Sequence, residues 1–314
     1  MNAPGGLRGV LEAAQARRAA GTAFALALVT DTEGSTYRKA GALALVPADG
    51  TRTGTISGGC LEPALEALCQ DAIARGQPGV AVFDTRDDDD LLFGSGSGCR
   101  GRMRVLAWPL PGAGDPLLDA LLDAHAAGSP LDLSVSVDEA NLGTLAFDGS
   151  APAGFLPVRI APVRQLLLLG AGPEAPPLLR LAHTLGWDTT VADHREGLLR
   201  ATRLPEAHAL LAMKPAAALA AAPRQPDAVL VMTHLASADL EALRALSALD
   251  VPYVGLLGPP GRRDELLAEL EPALREALLP RLHAPAGLFL GGEGPEAIAL
   301  AIAADLQRFF HAPR

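Results

Sequence analysis

This chain has little cysteine, few aromatic side chains and no long apolar run, and each shortage excludes a class of protein. Three cysteines in 314 residues are too few for a disulfide framework, and the odd count indicates free thiols in a reducing cytoplasm. Aromatic residues make up 4% of the chain and the formal net charge is -10, which together exclude nucleic acid as a main partner. No apolar run reaches the roughly 18 residues of a membrane span, so we expect no membrane insertion.

Size and composition predict two folded domains. A chain of 314 residues with 49% hydrophobic side chains has material for more than one core, since single cores stop growing near this length. The proline-rich passage 152–162 is the expected boundary, which gives an N-terminal domain over 1–157 and a C-terminal domain over 163–314. The first residues follow a helical pattern without an apolar signal core, which predicts no signal peptide.

The segment 53–62 is the first candidate site. An apolar strand runs into Gly58 and Gly59, and Cys60 follows where an amphipathic helix begins. The glycines let backbone N–H groups approach a ligand without side-chain obstruction, and the positive end of the helix favours the Cys60 thiolate. This combination suits an anionic ligand that contains sulfur, and the alternative is a small buried residue at a tight turn. Cys69, further along the same helix, is expected to be a packing residue.

Two further loops combine glycine with cations. Residues 33–41 carry hydroxyl groups beside Arg38 and Lys39, and such a loop either holds a phosphate or is a solvated hairpin. Residues 93–101 place Cys99 among four glycines, with Arg100 directly after it. A plain glycine-rich linker is the alternative for this second loop, but a linker needs neither the cysteine nor the arginine.

The second half of the chain opens with a phosphate-turn pattern. A continuous apolar run leads into Gly170 and Gly172, as in a buried parallel strand that enters a dinucleotide-binding turn. Asp193 lies 21 residues after Gly172, the distance at which a carboxylate meets an adenosine ribose. Three prolines within 173–177 remove N–H donors from the turn. A Rossmann domain that binds NAD or FAD and one that has lost nucleotide affinity therefore both stay open.

The remaining residues alternate strand and helix, which predicts a doubly wound parallel sheet. Ligands bind at the carboxyl ends of strands in such sheets, and His234 and Gly258 fall there. A histidine at a strand end equally well caps a neighbouring helix. The fold class is therefore α/β, with a mixed α/β N-terminal domain followed by a Rossmann-like C-terminal domain.

Taken together, these motifs resemble the XdhC/CoxI family, accessory proteins of molybdenum hydroxylases such as xanthine dehydrogenase. The resemblance covers nearly the whole chain. In the N-terminal half it rests on residues 34–41, 54–62 and 98–101. In the C-terminal half it rests on residues 169–172, Asp193 and residues 232–234, 253–258 and 283–288.

The resemblance implies a protein that binds the molybdenum cofactor (molybdopterin), protects it during sulfuration and delivers it to an apo molybdenum hydroxylase. The implied cofactor-binding residues are Cys60, Cys99, Gly58, Gly59, Arg38, Arg100, Gly170, Gly172, Asp193 and His234. The soft molybdenum–sulfur centre favours thiolate neighbours, so Cys60 and Cys99 are the candidate contacts to the metal. A separate cysteine desulfurase would supply the sulfur, because the chain shows no pyridoxal-type lysine signature.

Two other functions compete with this one. An NAD(P)-dependent oxidoreductase would rest on Gly170, Gly172 and Asp193, but it lacks a clear catalytic acid and leaves both cysteine loops unexplained. A plain assembly factor would bind the hydroxylase through its surface and never touch the cofactor. For the cofactor carrier, we expect the Cys60 and Cys99 loops to approach each other and to face the Gly170 or His234 edge, within one protomer or across a homodimer contact.

Overall fold

A computed structural model of the chain describes residues 3–49, 51–86, 100–110, 114–147 and 152–312. The chain divides into two compact units, one of which is Gly5–Pro162 and the other of which contains Val163–Arg314. Within the described ranges, every helix is too short or too polar to cross a membrane.

An antiparallel four-stranded sheet in the order β2-β1-β4-β3 forms the centre of the N-terminal unit. Its strands are β1 (Phe24–Gly34), β2 (Leu43–Pro47), β3 (Gly79–Asp84) and β4 (Gly101–Leu110). The sequence also predicts a strand over 52–56 paired with the one over 42–47, and this prediction is wrong. Among the described residues the pairing is reduced to a bridge between Leu45 and Thr53. The next residue, Gly54, adopts a φ of 85°, which turns the chain out of the extended path.

Alternate side chains of β1 are buried in two different layers. Phe24, Leu26 and Leu28 pack with residues of α1 (Gly6–Ala20) and α3 (Pro116–Ala127). The intervening small residues Ala25, Ala27 and Val29 pack with α2 (Glu62–Arg75). Because strand side chains alternate with a period of two, a strand that is apolar at every position can hold helices on both faces.

A three-stranded sheet completes the N-terminal unit, in the order β6-β5-β7. Its strands are β5 (Leu131–Ser136), β6 (Leu145–Ala146) and β7 (Phe155–Ile160). The β7 strand lies inside the proline-rich passage that the sequence suggested as a boundary, and it extends past residue 157 in full register with β5. Val158 and Ile160 are buried in the core, while Pro157 and Arg159 are exposed. The alternation of buried and exposed side chains, rather than the proline content, determines that this passage forms a strand.

The C-terminal unit is a six-stranded sheet in the order β10-β9-β8-β11-β12-β13, and every pairing in it is parallel. The strands are β8 (Gln165–Leu169), β9 (Asp188–Ala192), β10 (Ala209–Leu211), β11 (Ala228–Val231), β12 (Tyr253–Leu256) and β13 (Leu282–His283). Counted from the first strand of the unit, the order is 3-2-1-4-5-6, that of dinucleotide-binding sheets. The predicted doubly wound parallel sheet is confirmed.

Helices cover both faces of this sheet. They are α4 (Ala175–Leu185), α5 (Pro215–Ala221), α6 (Ala236–Ser247), α7 (Pro260–Ala268), α8 (Pro272–Leu278) and α9 (Pro295–His311). Leu166, Leu168 and Leu230 pack on one face with α4 and α9, and Leu167, Leu169 and Val229 pack on the other with α6. The continuous apolar runs of these strands reflect burial on both faces. The sheet order reverses between β8 and β11, so their carboxyl ends border the crevice where such folds bind ligands.

Candidate functional sites

Residues 57–61, which we call the Cys60 loop, connect the Leu45–Thr53 bridge region to α2. Gly58, Gly59 and Cys60 are all exposed. Gly59 has a φ of 115°, a conformation that only glycine adopts readily. Apart from its chain neighbours, no described residue has an atom within 4 Å of the place where its Cβ would be. As far as the described residues go, the backbone beside Cys60 is open to an incoming group.

The Ser57 and Glu62 side chains hold the Cys60 loop from beneath. Glu62 accepts hydrogen bonds from the Ser57 amide at 3.0 Å, from the Gly59 amide at 3.1 Å and from the Ser57 hydroxyl. The Ser57 oxygen in turn accepts from the Leu61 amide at 3.1 Å and lies 3.9 Å from the Cys60 sulfur. Both side chains are buried, so these bonds are sheltered from water.

The environment of Glu62 favours its charged form. Burial by itself raises the pKa of Glu62, but the hydrogen bonds from Ser57 and the charge of Arg52 outweigh it and lower the pKa below its ordinary value. Glu62 is a site residue that was not predicted from the sequence. Its position carries a signal, because an acidic residue in the first helical turn after a glycine loop can accept from the loop amides, as in a capping box.

The loop over 34–41 packs against Arg100 and Gly101, and its Tyr37 ring lies near Gly58 of the Cys60 loop. Ser35 donates its amide to the Arg100 carbonyl at 3.3 Å, and a Cβ on Gly101 would lie 2.2 Å from the Ser35 carbonyl oxygen. Lys39 donates to the Gly34 carbonyl at 3.3 Å and to the Thr36 hydroxyl at 3.2 Å, which closes the loop on itself. Gly101 is therefore needed for close packing.

A small pocket of about 30 Å³ opens where these segments meet. Its polar lining comes from the hydroxyl and glycine residues and from Cys60, and its apolar lining comes from the sheet and from the loop that leads into α2. The lining residues are Ser35, Thr36, Tyr37, Ser57, Gly58, Cys60, Leu61, Phe83, Thr85, Gly101 and Met103. The structure thus brings Cys60 and Gly58 together with the loop that carries Arg38 and with the segment that begins at Arg100.

The other predicted residues of this half have different positions. Arg38 is half-buried and Arg100 is exposed, while Cys99 lies outside the described residues. Cys69 lies in α2 and is fully buried in the core between this helix and the sheet. Burial and the neighbouring charge of Glu66 raise the pKa of the Cys69 thiol to about 12.

In the C-terminal unit, the predicted phosphate turn follows β8. Gly170 has a φ of 127°, and a Cβ there would lie 2.3 Å from the Met232 carbonyl oxygen. This glycine lets the turn cross the neighbouring strand at short range. Gly172 has a different reason to be small, because a Cβ there would meet the Glu174 carboxylate at 2.9 Å and the His234 ring at 3.0 Å.

Glu174 and His234 form a pair over the turn. The Glu174 Oε2 and His234 Nε2 atoms lie 3.0 Å apart, with the Glu174 side chain 8% exposed and that of His234 48% exposed. His234 has a φ of 64°, an unfavourable conformation for a residue with a Cβ that is concentrated at functional sites. In a dinucleotide-binding turn, the space beside the second glycine is where the pyrophosphate approaches.

Asp193 faces inward rather than towards solvent. Its carboxylate accepts from the Ala171 amide at 2.9 Å and from the Arg195 guanidinium at 2.7 Å, and the side chain is 1% exposed. Burial alone would raise the pKa of Asp193, but the bonds from Arg195 and Ala171 lower it to about 2. The structure therefore brings Gly170, Gly172, Asp193 and His234 together at one sheet edge, with Asp193 already engaged by this chain.

A metal site is not assembled in the described ranges, where no group of three or more His, Cys, Asp or Glu side chains is placed to hold an ion.

Comparison with known proteins gives matches over both units. Residues 166–306 match the XdhC Rossmann domain, and residues 17–84 match the XdhC and CoxI family. A protein of Bacillus subtilis described as a probable xanthine dehydrogenase component is 30% identical, over 90% of this chain and 91% of that protein. An uncharacterized protein, YqeB, from Escherichia coli is 29% identical over 90% of this chain. The match spans 43% of the length of YqeB.

A solved structure is also similar. The crystal structure of a protein described as a xanthine dehydrogenase from Bacillus halodurans superposes with a TM-score of 0.80 at 29% sequence identity. The match covers 97% of this chain and 96% of that one.

Proposed function

Because this chain belongs to the XdhC and CoxI family, we propose that it is a maturation factor that binds the molybdenum cofactor, holds it during sulfuration and delivers it to a xanthine dehydrogenase-type hydroxylase. Its relatives associated with xanthine dehydrogenase support an accessory role in the maturation of such enzymes. The molybdenum cofactor is the cargo in this account, and the hydroxylase and a cysteine desulfurase are the partners.

The observation that carries the proposal is the exposed Cys60 thiol on a loop that buried side chains hold in place. Glu62 accepts a hydrogen bond from the Gly59 amide, and Ser57 accepts one from the Leu61 amide. The loop therefore keeps its shape without a ligand. The thiol and the side-chain-free backbone of Gly58 and Gly59 face the open side. A thiolate is a preferred neighbour of soft metal–sulfur centres.

The competing oxidoreductase is weakened by the geometry of the phosphate turn. The Glu174 and His234 side chains fill the space beside Gly172, and the Asp193 carboxylate is occupied by Ala171 and Arg195. A dinucleotide would have to displace these contacts and place its pyrophosphate beside a buried carboxylate. We therefore assign no nicotinamide-dependent activity to the C-terminal unit.

The experiment that tests the proposed function measures how much molybdenum cofactor the purified protein retains. Cys60→Ala and Cys60→Ser remove the exposed thiol, and Cys69→Ala removes the buried one. Loss of retention that is specific to the Cys60 variants supports a cofactor carrier. Equal retention by all variants supports the plain assembly factor or a site elsewhere.

A further inference from the structure

The C-terminal unit contains a second pocket, which we call the Glu174 pocket. It lies at the carboxyl ends of β8, β11 and β12, and its cavity volume is about 540 Å³. This is within the range for small-molecule sites. Glu174, His234 and Arg262 give it polar character, and its other lining residues are Leu257, Gly258, Pro259, Pro285, Ala286, Ile298 and Ala301.

The start of α4 makes this pocket a poor site for phosphate. The Ala175 amide already donates to the Gly172 carbonyl at 3.2 Å, and the next two residues, Pro176 and Pro177, have no N–H. The amides on which phosphate binding at a helix N-terminus depends are therefore used or missing. The buried Glu174 carboxylate adds a like charge, which disfavours an anion further.

The same groups suit a ligand that donates hydrogen bonds. Oε2 of Glu174 is paired with His234, and no hydrogen bond to Oε1 is formed by the part of the chain that the structure describes. A carboxylate can only accept, so His234 Nε2 is the donor in this pair. Arg262 is engaged by Asp239 at 2.6 Å, so its guanidinium is partly neutralised.

The walls of the pocket favour a ligand with apolar faces. Leu257, Pro259, Pro285 and Ile298 present apolar surface and no hydrogen-bonding side chain. Apolar walls with a few placed polar groups are typical of small-molecule sites, and a flat ring that hydrogen-bonds only along its edge can bury both faces against such walls. The positive φ of His234 indicates that the surrounding structure enforces the position of this ring.

We propose that the Glu174 pocket binds a planar heterocycle through an amidine-type edge, a ring N–H beside an exocyclic NH₂, with Glu174 as the acceptor of this pair. Guanine and pterin carry this 2-amino-4-oxopyrimidine edge. The assignment of pterin rests on the proposed function, because the molybdenum cofactor contains a pterin. The assignment of guanine does not depend on the proposed function.

Two matched pairs of small ligands test the edge directly on the intact protein. Pterin differs from lumazine, and guanosine from inosine, at the 2-amino position. We expect the amino-bearing member of at least one pair to bind about tenfold or more tightly than its partner, since a charge-assisted bond is lost in the other. Titration calorimetry, or pterin fluorescence, gives the dissociation constants and requires no variant.

Glu174→Gln is the variant that tests the assigned acceptor, with Glu196→Gln, which alters an exposed residue of the same unit, as the matched control. We expect the discrimination to disappear in the first and to remain in the second. Tighter binding of the amino-bearing compound in either pair supports the site. The pair that shows this difference identifies the ligand as a pterin or a guanine compound.

Absence of binding by all four compounds, equal affinity within both pairs, or discrimination that survives Glu174→Gln in a folded protein would overturn the proposal. These outcomes are independent of the cofactor-retention experiment, which uses the complete cofactor and depends on Cys60. Retention of the cofactor without any effect of Glu174→Gln on the small ligands would refute this inference and leave the proposed function standing.

Discussion

The buried carboxylate of Glu62 accepts hydrogen bonds from both the amide and the hydroxyl of Ser57, and this pair holds the loop that exposes Cys60. The thiol itself makes one weak contact in the described structure, 3.9 Å to the Ser57 hydroxyl. The position of Cys60 therefore depends on groups that never reach the surface. A ligand that approaches Cys60 meets a loop whose shape is set beforehand, which reduces the ordering cost of binding.

Replacement of Glu62 should loosen this loop. Glu62→Gln places an NH₂ group against either the Ser57 or the Gly59 amide, because both carboxylate oxygens accept hydrogen bonds. We expect a loss of about 1–3 kcal/mol in the free energy of unfolding, measured with urea. Glu66→Gln, which removes a half-exposed partner of Arg52, should cost less than about 1 kcal/mol. Equal stability of the two variants would show that Glu62 does not organise the loop.

Asp193 should make stability depend on acid. Its pKa is lowered from 3.8 to about 2 in the folded chain, so the unfolded chain takes up a proton first as the pH falls. The stabilisation is present in full above about pH 4, is lost as the pH falls towards about 2, and amounts to about 2 kcal/mol.

Asp193→Asn should therefore be less stable than the parent at neutral pH and should show a flatter dependence on pH in this window. Asp264→Asn, at an exposed ion pair with Arg263, is the control and should keep the parental slope. Unfolding curves measured across this pH range give the slope for each variant and test the prediction. The same slope in both variants would mean that Arg195 and Ala171 do not hold the Asp193 carboxylate as described.

Dinucleotides should bind weakly or not at all, although the sheet has the dinucleotide-binding strand order. Glu174 and His234 occupy the space beside Gly172, and Pro176 and Pro177 offer no amide to a phosphate. Calorimetric titration with NAD and with FAD is the measurement. A dissociation constant in the micromolar range or tighter, for either nucleotide, would contradict this account of the turn.

The fold could be predicted from the sequence largely because its strands are strongly patterned. The continuous apolar run of β8 and the glycine turn after it place the Rossmann unit correctly. The short elements β10, β13, α5 and α8 were missed, since segments of two to seven residues show too little periodicity to be recognised. The strand β7 was missed because its prolines outweighed the alternation of buried Val158 and Ile160.

The candidate sites were only partly predictable, because their side-chain partners are distant in sequence or unremarkable in type. Gly170 and His234 stand out by residue type and by position after a strand, and Cys60 stands out by residue type and by position after two glycines at the start of a helix. Glu62 does not stand out, because glutamate is common in the first turn of helices. The pairing of Glu174 with His234 spans 60 residues, and it depends on the adjacency of β8 and β11 in the sheet, which a linear pattern does not display.

The two cysteine loops are predicted to approach each other, and Cys99 lies outside the described residues. A short thiol-specific cross-linker should join Cys60 to Cys99 within one chain or between two chains. Cys69 should stay unmodified, because it is buried and its thiol pKa is raised to about 12. Peptide mass spectrometry identifies the joined residues. Complete modification of both thiols by a single-ended reagent, without any cross-link, would contradict the expected approach.

Retention of the molybdenum cofactor tests the central claim most directly. The parent, Cys60→Ala and Cys69→Ala are each incubated with the cofactor under anaerobic conditions and separated from free ligand. The bound molybdenum is then measured per chain. We predict that the parent and Cys69→Ala retain the cofactor, whereas Cys60→Ala loses about tenfold or more in affinity, as removal of a metal–thiolate contact requires. Retention by Cys60→Ala equal to that of the parent would contradict the claim that this thiol holds the cargo.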